Sequence, residues 1–146
     1  MNSLLFAADP TFVKDKMCYI GASRTYFEEG QTGPIASWIT PDEIAIHGKI
    51  FAPSNGGYVP PLNWYKAQIA NLNTPDEDGI EEAKHHLQQP TLLVTCSKDY
   101  IAVPAMQEMT MKPCVENLTV KEIDSGHRVQ AEKPEELNKT LETFIV

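Results

Sequence analysis

Positive charge is scarce in this sequence. Lys and Arg number 12 against 20 Asp and Glu, a formal net charge of -8 at pH 7, so the surface repels phosphate backbones and anionic lipid. Nucleic acid and membrane surfaces are therefore poor partners. Long hydrophobic runs are also missing, since no window approaches the roughly 18 apolar residues of a membrane-spanning helix. The opening residues, Met1 to Pro10, hold a short apolar stretch with no basic segment before it, which is not the pattern of a secretory leader. A cytoplasmic location is expected. Cysteine is sparse: Cys18, Cys96 and Cys114 are odd in number, widely spaced and without a CxxC pair, which argues against a disulfide framework and against a cysteine zinc site. They read as reduced core thiols.

What is present is ordinary for a folded protein. Hydrophobic residues make up 42% and charged residues 22% of the 146, a composition unlike that of disordered or fibrous chains, and the length suffices for one core. Residues from Asp9 to Ile20 are amphipathic enough for a helix, and the Gly/Thr/Pro-containing stretch from Gly21 to Pro34 reads as a loop. Thr40-Pro41-Asp42-Glu43 is a capping box with proline at the first helical position. The helix it opens carries Ile44, Ile46, Ile50 and Phe51 and ends at Pro53 to Gly57. Another follows Pro60-Pro61 through Leu62, Trp64, Tyr65, Ile69 and Leu72, with Asn73-Thr74-Pro75-Asp76 at its end. The acidic, polar stretch from Thr74 to Gln89 has no strong apolar period and reads as a surface connector.

After Pro90 the texture changes. Thr91 to Cys96 is a continuous apolar run of the kind buried on both faces of a parallel sheet. A turn, a methionine-rich helix over Val103 to Met111, a second strand over Leu118 to Ile123, a tight loop at Asp124 to His127 and a helix over Pro134 to Ile145 complete the chain. This β-α-β-α order belongs to the end of a doubly wound sheet. Two strands are too few for that architecture, so an incomplete α/β domain is expected. The expected organisation is a helical cap segment over residues 1–73, a connector over 74–90 and the C-terminal part of an α/β core over 91–146.

Asp99 and His127 fall in the loops directly after the two strands, where doubly wound folds place their ligands. A carboxylate that fixes the tautomer of an imidazole is the base half of a catalytic triad. Two plainer explanations compete: aspartate after a strand often only caps a helix or forms a turn, and a single histidine is usually structural. Trp64 and Tyr65 likewise read either as aromatic packing on an amphipathic helix or as a polar handle directed into a cleft.

The wording of three segments goes further. Leu93 to Pro104 (LVTCSKDYIAVP) resembles the acid-bearing strand and loop of the epoxide hydrolases in the α/β-hydrolase superfamily, Asp124 to Pro134 (DSGHRVQAEKP) resembles their histidine loop, and Pro61 to Lys66 (PLNWYK) resembles the cap stretch that presents a substrate-facing tyrosine. The resemblance implies an α/β fold represented by a cap segment and the last two parallel strands and helices of the core. It also implies a two-step hydrolysis of a small epoxide to a vicinal diol through an alkyl-enzyme ester, with no metal or organic cofactor. In that scheme His127 is the general base, Asp99 its orienting carboxylate, and Tyr65 the donor to the epoxide oxygen. Haloalkane dehalogenase chemistry shares the nucleophile and base, and a non-catalytic fragment is the other alternative. A homodimer is left open.

The departures matter too. The family's nucleophile elbow, oxyanion-hole loop and second cap tyrosine have no counterpart here, so the chain is not expected to act alone. Gly21-Ala22-Ser23-Arg24-Thr25 has a serine after glycine but lacks the second glycine and the preceding buried strand of an elbow. Arg128 stands after the histidine where related sequences carry tryptophan; a guanidinium there is expected to leave an apolar slot unfilled and to disfavour protonation of the base. His85-His86 lack the three or four convergent ligands of a metal site, the sequons at Asn117 and Asn138 read as chance, and Met106, Met109 and Met111 read as core filling.

Overall fold

The computed structural model describes residues 2–145, with the side chains of Asn2, Ser3, Glu82 and Ala83 left aside. Two compact units divide it: the described residues up to Ile39 together with those from His86 onward, and Thr40–His85. The division differs from the expected boundary at residue 73, because residues 2–39 form their contacts in the same unit as the strands. Within that unit the Arg128 Nε–H donates to the Leu5 carbonyl at 3.0 Å, and the Cys18 thiol lies 3.3 Å from the Tyr100 carbonyl.

The first unit opens with a short helix α1 (Asn2–Leu5), then α2 (Pro10–Met17) and α3 (Ala22–Glu28). Asp9 caps α2 by accepting from the Thr11 N–H at 2.9 Å, and proline follows at a helix-compatible position. The helix stops at Met17 and not at Ile20, whose side chain is fully exposed. The expected loop over 21–34 contains α3. Gly21, at φ 83°, turns the chain between the two helices, and Ser23 Oγ donates to the Lys16 carbonyl at 2.9 Å. Tyr26 is the reason α3 holds its place: it is fully buried, with its ring edge-on to Phe12 at 5.6 Å and close to Phe27 at 5.2 Å.

The second unit contains α4 (Pro41–Ile50), a 3-10 turn at Pro53–Asn55, α5 (Val59–Ile69) and the short α6 (Thr74–Glu77). The capping box at the start of α4 is complete, with Glu43 N–H donating to Thr40 Oγ1 at 3.2 Å and Thr40 N–H to Glu43 Oε2 at 2.8 Å. Thr40→Ala removes one of these bonds and is expected to lower the stability of this unit by about 1 kcal/mol, measured by urea denaturation followed at the helix signal; an unchanged midpoint would show that the cap is dispensable. Helix α5 ends three residues before Leu72, because Asn71 takes a left-handed conformation at φ 51°, one that asparagine tolerates better than most residues. The connector expected after it holds α6 and a 3-10 turn at Glu82–His85.

The chain then returns to the first unit as β1 (Thr91–Cys96), α7 (Pro104–Met111), β2 (Leu118–Ile123), α8 (Val129–Glu132) and α9 (Pro134–Ile145). The strands pair in parallel, from Thr91 opposite Leu118 to Cys96 opposite Ile123, and among the described residues they make a two-stranded sheet. Only Thr95 and Cys96 of β1 are buried; Thr91 to Val94 are half-buried, in place of the full burial expected on both faces. Two other burial expectations fail. Cys18 is exposed while Cys96 is buried, and Met106 and Met109 on α7 project outward, with only Met111 half-buried. No helix among the described residues is long and apolar enough to cross a membrane.

Candidate active site

The sheet register sets the site. Cys96 and Ile123 are the last residues of their strands and lie opposite one another, so the loops that follow leave the same end of the sheet at the same level. The ladder continues past the strand ends, with Ser97 N–H donating to the Ile123 carbonyl and Lys98 N–H to the Ser125 carbonyl, both at 3.0 Å. Asp124 ties the loops together again through Ser97 Oγ at 2.8 Å and Lys98 Nζ at 2.9 Å. These two donors, Lys98 first, hold the exposed Asp124 carboxyl below its ordinary range.

Asp99 is 6% exposed and uses both oxygens. Oδ1 accepts the Ile101 and Ala102 N–H groups at 2.9 and 2.8 Å, and Oδ2 lies 2.8 Å from His127 Nδ1. With the carboxylate as acceptor, Nδ1 carries the proton. The His127 side chain is 46% exposed, and its Nε2 has no hydrogen-bond partner among the described residues, so the basic lone pair is open to a reacting group. With the carboxylate buried, the imidazole half-open and Nδ1 fixed, the pair has a geometry in which the histidine can act as a general base.

The histidine loop is held closely. The Gly126 N–H donates to Glu132 Oε2 at 2.9 Å, and a Cβ on Gly126 would stand 3.2 Å from that oxygen and 3.3 Å from Pro10 Cγ. A side chain there would need Glu132 or Pro10 to give by a few tenths of an ångström, so glycine suits this close approach. Beneath the loop, burial pushes the Cys96 thiol up, and the nearby Asp99 and Glu132 charges act the same way; this buried thiol is a poor nucleophile.

Tyr65 sits on α5, 61% exposed, beside Trp64 at 70%. Both are exposed, so aromatic packing on the helix does not account for either of them. Arg128 also departs from expectation. Its Nε–H donates to the Leu5 carbonyl and its guanidinium lies 5.7 Å over the Phe6 ring, so it covers an apolar surface by cation–π contact. Neither this contact nor the Glu132 anchor has a sequence signal; both depend on residues that the fold alone brings together. Among the described residues no group of three or more His, Cys, Asp and Glu side chains could hold a metal ion.

No family model matches the sequence. Among curated proteins, it is 31% identical over 104 residues to bifunctional epoxide hydrolase 2 of Sus scrofa, covering 70% of this chain and 18% of that one. It is 27% identical over 89 residues to pyrrolizixenacetamide deacetylase of Xenorhabdus hominickii, covering 61% of this chain and 33% of that one. The chain therefore spans a third or less of the length of these relatives. Among solved structures, a laboratory-evolved variant of potato epoxide hydrolase superposes with a TM-score of 0.61 at 22% identity, over 98% of this chain and 44% of that one.

Proposed function

We infer from the chain's place among the epoxide-hydrolase-like proteins of the α/β-hydrolase fold that it supplies the acid–base half of an epoxide-opening site. The observation that carries this reading is the 2.8 Å contact between Asp99 and His127, with the other Asp99 oxygen already saturated by backbone.

The reaction runs in two steps. A carboxylate nucleophile, which this reading takes from outside these residues, attacks an epoxide carbon; the ring C–O bond breaks, and Tyr65, in the role the resemblance gives it, donates to the oxygen as it takes up negative charge. The oxygen takes up a proton from solvent, giving an ester and a free hydroxyl, and the proton that His127 removes from water in the second step returns to solvent. His127 Nε2 then removes a proton from water, the hydroxide attacks the ester carbonyl, and collapse releases the vicinal diol and restores the carboxylate. Asp99 keeps the imidazole in the required tautomer and stabilises the imidazolium. The substrate is a small-molecule epoxide, and no metal or organic cofactor enters either step. Alone, the chain turns over no epoxide, since His127 has no ester to hydrolyse.

Acyl transfer is the second reading, favoured by the deacetylase likeness, because the same Asp–His pair serves a serine nucleophile equally well. Tyr65 separates the two. A chimera in which residues 2–145 replace the matching part of potato epoxide hydrolase restores a nucleophile to the site. In it, Tyr65→Phe is expected to slow styrene oxide hydrolysis on the order of a hundredfold and to leave hydrolysis of a p-nitrophenyl ester unchanged. Equal losses on both substrates, or none on the epoxide, would remove Tyr65 from the epoxide step.

A further inference from the structure

We propose that Arg128 is a positioning residue for His127, acting through a clamp on the N-terminal segment. His127 is flanked by two anchors that its own side chain does not make. On one side Gly126 donates to Glu132 at 2.9 Å; on the other, Arg128 reaches back across more than a hundred residues to the Leu5 carbonyl at 3.0 Å. That carbonyl belongs to the last residue of α1, where helix carbonyls lack intrahelical partners and attract a cation.

The guanidinium at the same time lies over Phe6, whose ring meets Trp38 edge-on at 6.0 Å. Arg128, Phe6 and Trp38 thus form one contiguous cluster, and all three are half-buried. The segment they grip is fixed independently, because Ala7 bridges Ile35 and the Ala36 N–H donates to the Phe6 carbonyl at 2.8 Å.

The backbone of Arg128 belongs to the same device. It is the N-cap of α8, and its carbonyl accepts the Ala131 and Glu132 N–H groups at 2.9 Å. Glu132, placed by that turn, is the residue that holds Gly126. Arg128 therefore fixes the histidine loop twice, directly through its side chain and indirectly through the helix that presents Glu132. The guanidinium is suited to its two side-chain contacts, donating through Nε–H and lying over the Phe6 ring, in a way a lysine ammonium is not.

What the positioned imidazole does rests on the reading above, but the positioning is testable without any reaction. The readout is the His127 imidazole in 15N-labelled full chain, assigned by comparison with His127→Gln. The wild-type ring is expected to show a downfield, slowly exchanging Nδ1–H with the 15N shifts of a single tautomer. In Arg128→Lys and in Phe6→Leu, which loosens the far end of the clamp, exchange of that proton is expected to accelerate on the order of tenfold, the factor that loss of one typical hydrogen bond gives. Arg128→Gln keeps an N–H donor of similar reach and is expected to recover part of the protection.

Near-UV circular dichroism identifies which variants stay folded. If Arg128→Lys does not, Phe6→Leu decides. An unchanged Nδ1–H in a folded variant, even one of lower stability, would show that Arg128 only stabilises the fold and would overturn the proposal. Failure of the epoxide reading would instead appear as absent diol formation in the chimera with these imidazole signals intact in the chain.

Discussion

Asp99→Asn is expected to invert the His127 tautomer. The Ile101 and Ala102 N–H groups both point at Oδ1, so an asparagine must place its carbonyl oxygen there and turn its NH2 toward His127. Nδ1 must then accept, the ring proton moves to Nε2, and the base loses the lone pair that faced the substrate. Turnover in the chimera is expected to fall on the order of ten-thousand-fold, while the fold survives because both backbone bonds persist. In the isolated chain, the 15N shifts of His127 should exchange their pattern between Nδ1 and Nε2. A variant that keeps its Nδ1–H signal, or loses less than about tenfold in rate, would mean that the carboxylate does not set the tautomer.

The parts of this site differ in how far the sequence revealed them. β1 is legible because the run from Thr91 to Cys96, followed by the turn Ser97-Lys98-Asp99, has few other uses, and Asp99 and His127 are legible because each lies in the loop that follows a strand. The capping box at Thr40 is equally local and appears as read. Helix α3 was hidden by its flanking glycines, Gly21 and Gly30, which look like loop residues until Tyr26 is seen to be buried against Phe12. Helix α8 is a single turn between His127 and Pro134, too short to carry a period.

The larger failures are of burial. Met106, Met109 and Cys18 all suit a core by type, yet all three are exposed, and whether a residue of that kind is covered depends on neighbours distant in sequence. Arg128 shows the same dependence: charge and size alone suggested a misfit beside the base, whereas the Leu5 carbonyl and the Phe6 ring provide its partners.

His127→Gln carries the largest expected effect and the most direct test. Ester formation needs the nucleophile and Tyr65 but not the base, whereas ester hydrolysis needs His127 to deprotonate water, so the variant should complete one step and stop. Steady-state turnover in the chimera should fall by at least roughly ten-thousand-fold. The measurement is intact-protein mass spectrometry of the His127→Gln chimera after incubation with styrene oxide. The account predicts stoichiometric addition of one substrate mass, retained for as long as the sample is kept at neutral pH and released by hydroxylamine. A folded variant that forms diol at the parent rate, or that never acquires the adduct although the parent chimera turns over, would contradict His127 as the base that hydrolyses the ester.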